Sequence, residues 1–423
     1  MSAREVSRRD VLRYLAYGGV GVAAGSALVG CSFGDGSDGS NSNGGPRNQR
    51  RPGRDGRLLV VIEMGGGNDG LSTLVPFENG RYRDLRPTLA IPGDEVIDWG
   101  DGWGLNQRLK VLDDHKAALV TGIGTTAPDL SHFAMLDRWW KGFPEGLPTK
   151  ESSFTKTGFL GRVCDEASGH EKLTGLSLRV GHAPSLTAAK AATTGIPDTE
   201  AAALADDDDL ARLLRHAMQQ FSRGDEADLV DARKGLDEML RIFDLLDDLP
   251  EPSTGYPDTP FGLQMASASR LARSSAGIRV LHVPQGVSDY DTHAHHGENH
   301  PKLLTELNDG LAAFLKDMGE VGLADDILVA TVSEFGRRVE EHEGGLDHGA
   351  ASTLAMVGPV KHGIHGDPSP IEKLDQMGNL RATVTFDRYL ATIAEWMQVD
   401  LEAVLPPAAN GKVPEPIPGL LTV

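Results

Sequence analysis

The sequence predicts an α/β protein: a doubly wound, mostly parallel sheet with helices on both faces and a helical insertion. Three observations carry that expectation. Short continuous apolar runs recur between residues 57 and 359, the pattern of strands buried on both faces. Helix-like stretches separate them, as in a parallel sheet wound through crossover helices. Carboxylates, imidazoles and hydroxyls gather just after several of the runs, where ligands bind in such sheets.

Composition bounds the problem first. The 423 residues allow one large or two ordinary domains, and 39% hydrophobic with 24% charged residues is ordinary for a soluble globular protein. The net charge of −20 argues against a nucleic-acid partner, which needs a basic footprint. It also repels phosphate-like substrates unless bound cations invert the local field.

The elements follow in chain order. Residues 1–31 read as an export signal: "SRRDVL" carries Arg8 and Arg9 in a pattern that resembles the twin-arginine signal, a short Gly- and Ala-rich apolar run follows, and "LVGC" resembles a lipobox. The expected partners are therefore the twin-arginine export machinery and a membrane, reached through lipid on Cys31. The expected location is the outer side of the cell membrane or the periplasm. Twin-arginine export carries folded proteins, which fits a metal loaded in the cytoplasm. With Cys31 acylated, Cys164 is the only other cysteine and no internal disulfide can form. Residues 32–56 are a Gly/Ser/Asn tether expected to be disordered.

The folded domain is expected over 57–423. Strands are expected at 57–64, 116–124, 173–181, 278–285, 326–335 and 352–359. Helices are expected at 129–142, 261–275, 300–318 and 387–398, and at 199–222 and 226–247. The acidic stretch within about 199–275 reads as an inserted or covering helical region with solvated faces.

The chemistry lies at the strand ends. After the first strand, "GGGNDG" lacks the GxGxxG spacing of a dinucleotide loop; its glycines turn the backbone sharply and leave Asp69 at the strand tip. After the second comes Ser131-His132, at the start of a helix. Ser131 there is either an N-cap hydroxyl or a group aided by the helix dipole, which also favours a bound anion. After 278–285, "YDTHAHHGENH" packs Asp291, His293, His295, His296 and His300 into eleven residues of a chain with 14 histidines. Carboxylate with imidazole suits Zn²⁺ or Mn²⁺. Glu334 ends an apolar strand and needs a cation, either Arg337 or a metal. Asp347 and His348 follow in "LDHGAAS". Together these segments imply one metal-containing site with one or two divalent ions.

The order "LVVIEMGGGNDGLSTLVPF", "YRDLRPTLAI", "LSHFAMLDRWWKG", "YDTHAHH", "ILVATVSEFGRRV" and "LDHGAASTLAMVGP" resembles the domain-of-unknown-function 1501 family over roughly residues 57–400. That family is grouped with the alkaline phosphatase and sulfatase-like superfamily, so the resemblance implies an alkaline-phosphatase-like fold with a metal site at the strand ends, without naming a substrate. It implies metal-ligand roles for Asp69, Asp291 and His348, and places Ser131 where the superfamily has its hydroxyl nucleophile. The superfamily's spacing selects His295 and the family's Asp-Thr-His pattern selects His293, which is preferred. Glu334 stands where the superfamily has an Asp-His pair, and Phe335 replaces that histidine. No Cys-x-Pro-x-Arg motif surrounds Cys164, which argues against a formylglycine sulfatase.

The resulting expectation is an exported metal-dependent hydrolase of a phosphate or sulfate ester, with Ser131 as nucleophile and Arg337 clamping a non-bridging oxygen. The alternative is a non-catalytic envelope binding or assembly lipoprotein on the same fold, which Phe335 favours.

Overall fold

The computed structural model describes residues 56–168, 173–197, 252–274, 276–368, 371–408 and 410–422. The export signal with Arg8, Arg9 and Cys31, the tether to residue 55 and the acidic stretch 199–251 lie outside the described residues. Among the described residues no helix is long and apolar enough to cross a membrane.

The apolar runs become strands: β1 (Leu58–Glu63), β5 (Ala118–Gly124), β6 (Gly175–Arg179), β8 (Val280–Pro284), β9 (Ile327–Val332) and β10 (Ser352–Val357). Three short strands extend the same sheet, β7 (Thr193–Pro197), β11 (Gly363–Gly366) and β12 (Val384–Thr385). The order is β11-β5-β10-β9-β1-β8-β6-β7, with β12 also paired to β5. β1 lies inside the sheet, parallel to both neighbours, with Val60 opposite Leu281 of β8 and Val329 of β9. Its apolar side chains are almost wholly buried, as an uninterrupted apolar run requires. β10 runs against β9 and β5, while the other pairings in this sheet are parallel. The reversal keeps the loop 333–351 at the carboxyl edge of the sheet. A separate small sheet, β2 (Leu74–Val75), β4 (Trp103–Asn106) and β3 (Val96–Gly100), escapes the periodicity argument because its strands are short.

The main helices are α1 (His132–Lys141), α2 (Phe159–Ala167), α3 (Pro260–Ala272), α4 (His296–Glu320) and α5 (Phe386–Met397). α1 ends where Gly142 turns left-handed, at φ 80°, and its N–H reaches the carbonyls of Arg138 and Trp139. α3 starts at Thr259, whose hydroxyl accepts from Gly262 N, with Pro260 in the first turn. α1, α2 and α5 pack together on one face of the sheet. There Trp139 stacks on Phe386 at 4.4 Å, and the Tyr389 hydroxyl bonds the carbonyls of Thr331 and Ala355. α3 and α4 pack on each other, and α3 packs on β8 and β6, covering the other face. Cys164 of α2 is free and buried, and burial pushes its thiol pKa up.

Candidate metal centre

The site is built where β1, β8 and β9 end. Gly66 and Gly67 both take positive φ, and a Cβ on Gly66 would meet Asp291 N at 2.4 Å. Gly66 N also donates to Glu334 Oε1 at 2.8 Å, which ties the segment after β1 to the segment after β9.

Three side chains from three segments converge. His132 opens α1, Asp291 follows β8, and His348 precedes β10. His132 Nδ1 lies 2.8 Å from Glu334 Oε1, and His348 Nδ1 lies 2.7 Å from the carbonyl of Leu130. Carboxylate and carbonyl both accept, so Nδ1 carries the proton in each ring and Nε2 presents a lone pair. His132 Nε2 stands 3.4 Å from Asp291 Oδ2, and His348 Nε2 stands 3.2 Å from Asp291 Oδ1. One ligand atom from each residue lies within 4.8 Å of the others.

The donor set fits a divalent cation. Imidazoles fixed through Nδ1 by a carboxylate and a carbonyl are the usual outer support of metal-binding histidines. Two ligand atoms held about 2.1 Å from one ion at a tetrahedral angle are about 3.4 Å apart. His132 Nε2 is buried and makes no hydrogen bond. The hydrogen bond and charge of Glu334 raise the His132 pKa despite burial, so proton and cation compete for this ring. Burial lowers the His348 pKa, which keeps that ring neutral. Burial raises the Asp291 carboxyl, but the hydrogen bond and charge of Arg337 outweigh it and hold the group below its ordinary value.

The other expected residues fall around this cluster. His293 borders it, with Nε2 at 2.8 Å from His348 Nε2 and 3.1 Å from Asp291 Oδ1. Asp347 lies one step outward, 3.2 Å from His293 Nδ1. His295 is exposed, left-handed at φ 53°, and precedes α4 without capping it. Glu334 holds His132 rather than reaching the convergence point itself. Ser131 precedes α1, exposed, and its side chain makes no capping hydrogen bond.

Two residues have tasks the sequence does not reveal. Arg337 is buried, and its guanidinium N–H groups are directed at the carbonyls of Gly66, Gly67, Leu346 and Tyr290 and at Asp291 Oδ1. Asp69 is buried against Arg86, with Nη1–Oδ2 at 2.6 Å and Nη2–Oδ1 at 3.0 Å, and accepts from Leu71 N. His296 Nε2 is 3.5 Å from Asp69 Oδ2, and His300 bonds Asn68. Asp69 thus belongs to a separate buried network. Burial raises its pKa, but the charge of Arg86 wins and holds it well below the carboxylate range. The sequence assigns no role to His132. The available signal was an imidazole one residue beyond Ser131, at a helix start after a buried strand.

The family described as "Protein of unknown function (DUF1501)" matches residues 115–413. No curated protein matches the chain. Among solved structures, the chain is similar to a sulfatase from Pseudoalteromonas sp. at 11% identity, covering 86% of this chain and 74% of that one, with a TM-score of 0.37. It is similar to the alkaline phosphatase from the Antarctic bacterium TAB5 at 11% identity, covering 81% and 98%, with a TM-score of 0.37. A phosphonate monoester hydrolase from Silicibacter pomeroyi matches at 9% identity, covering 84% and 75%, with a TM-score of 0.38.

Proposed function

This chain belongs to the DUF1501 family, and we propose that it is an exported, lipid-anchored, metal-dependent hydrolase of a phosphate or sulfate ester. One observation carries the reading: His132 and His348, each fixed through Nδ1, turn Nε2 toward the carboxylate of Asp291. A divalent cation, zinc or manganese, supplies charge neutralisation and polarises an ester oxygen when bound there. In a chain of net charge −20, an anionic ester needs such a centre to approach.

The chain's own residues provide the rest. Glu334 and the Leu130 carbonyl orient the two imidazoles. Arg337 pins Asp291 Oδ1 and leaves Oδ2 toward His132. The Ser131 hydroxyl, uncommitted to capping at the N-terminus of α1, can attack an ester held beside the cluster, with His132 next to it in the chain.

The test is elemental analysis of the purified full chain, then turnover of a chromogenic phosphate monoester, diester and sulfate ester with added Zn²⁺ or Mn²⁺. Zinc or manganese and hydrolysis of one ester are expected, with Ser131→Ala about 10²-fold slower or worse. The Ser131→Ala melting temperature should not move, because no capping bond is lost. Equal rates would remove Ser131 from the mechanism. A second reading, a non-catalytic binding protein, is favoured by Phe335, whose ring lies 4.5 Å from His348 and 4.9 Å from His132 and closes that side of the cluster with hydrocarbon. A metal-loaded protein that turns over none of the three esters would select it.

A further inference from the structure

Phe133 is 87% exposed, more than any other large hydrophobic side chain among the described residues. Single exposed apolar residues are common on protein surfaces, so the weight lies in where this one stands. It directly follows His132, whose ring belongs to the candidate metal cluster. Three residues before it, the carbonyl of Leu130 holds His348. The first turn of α1 therefore abuts the cluster, and Phe133 stands at the edge of it.

Phe133 also heads an apolar track. α1 packs inward through Met135 and Trp139, which are buried. At 100° per residue, Phe133 points away from that side, and Leu136 and Trp140 lie within about 60° of it around the helix. Leu136 and Trp140 are half-buried and line a cavity beneath α1 whose accessible walls are almost wholly apolar. Glu334, which holds His132, is part of the same cavity wall. From Phe133 to Trp140 the track runs about 10 Å along the helix. The charged side chains near it are paired, Lys141 with Asp137 at 2.8 Å and Arg138 with Asp129 at 3.5 Å. A ligand that spans cluster and track has an anionic head and an apolar body. A sugar, whose hydroxyls need hydrogen-bond partners, gains little from this surface.

We propose that Phe133 determines specificity: the substrate is an ester of an aryl or alkyl group, and that group lies against the Phe133 ring while its charged head meets the cluster. The inference rests on the ester-hydrolase reading and names its substrate class. Docking takes the exposed ring and the apolar body of the ligand out of water together, and an aryl group adds the pairing of two rings.

The experiment measures, by calorimetry on the full chain loaded with Zn²⁺ or Mn²⁺, the binding of phenylphosphonate against methylphosphonate and of benzenesulfonate against methanesulfonate. Each pair shares a head and differs in the apolar body, so the ratio of the two affinities isolates the contact. In at least one pair the aryl ligand should bind about tenfold tighter or more. Phe133→Ala should cut that ratio to about threefold or less, and Phe133→Leu should fall between. The ring is exposed, so its loss removes no core packing. Equal binding of both members of a pair would overturn the inference and leave the ester reading standing. Binding of none of the four ligands would overturn both. An aryl preference undiminished in Phe133→Ala would put the apolar group elsewhere and overturn the role of Phe133. A dimer that Phe133→Ala dissociates, without any aryl preference, would mean that the ring meets a second copy of the chain instead.

Discussion

Glu334 shows how much a single residue can carry without touching the centre it serves. Its Oε1 receives both Gly66 N and His132 Nδ1, so it fixes a loop and a candidate ligand at once. Glu334→Gln should keep the fold but weaken zinc or manganese affinity about 10- to 100-fold, the scale of losing an outer-shell partner. Competition titration against a chromophoric chelator measures this, with His132→Ala as the more severe control. Undiminished affinity in Glu334→Gln would mean that His132 is not a ligand. Asp69 presents the opposite case, a carboxylate consumed by structure. Asp69→Asn leaves Arg86 buried without its counter-charge, which should cost about 3–5 kcal/mol in denaturant unfolding. The pH dependence follows from the same pair. The folded pKa lies below the unfolded value of about 3.9. The stability it contributes is therefore fully present above that value and is lost as pH falls through it toward the folded pKa. Below about pH 4 the wild type should lose stability more steeply than Asp69→Asn. Parallel profiles would show that the pair does not set acid lability.

Among the elements, the α3–α4 contact and the reversed strand matter most. α4 lies so close to α3 that a Cβ on Gly310 would sit 2.8 Å from the Phe261 ring. Alanine is the better helix former by about 1 kcal/mol, whereas overpacking a tight contact costs about 1–3 kcal/mol. Gly310→Ala should therefore lower the melting temperature. An unchanged or higher value would show that the helices separate without cost. The reversal of β10 explains why His348 reaches the site although it precedes its strand. In a parallel strand the residues before the first strand residue lie at the opposite edge. In β10 they lie at the carboxyl edge, between the ends of β9 and β5.

At the scale of the whole molecule, the strongly acidic chain and its candidate cation cluster are coupled. Metal binding to the folded state alone is folding energy, so chelation should lower the melting temperature and re-addition restore it. The proposed export and anchoring concern the same whole. Cys31→Ala should release the protein from membranes, and replacing Arg8 and Arg9 by lysines should block export. Both are read by fractionation of cells producing the full chain. Membrane association unchanged in the cysteine variant would refute the lipid anchor.

Residue pattern alone determined the α/β class and the larger sheet strands, because an uninterrupted apolar run such as Leu58–Ile62 has no other stable place than between two covered faces. It also pointed to the strand-end segments of Asp291, Glu334 and His348, which the fold brings side by side, since a parallel sheet leaves its open edge there. It could not apportion the residues within those segments. Asp69 and Asp291 look alike in sequence. Only the fold brings Arg86 from another segment onto the first, and two imidazoles onto the second. Arg337 and Glu334 are likewise legible as a cation and an anion near one strand. Their real partners are carbonyls and a histidine far away in the chain. Local periodicity is a property of neighbouring residues, whereas a ligand set depends on distances between segments that only tertiary packing establishes.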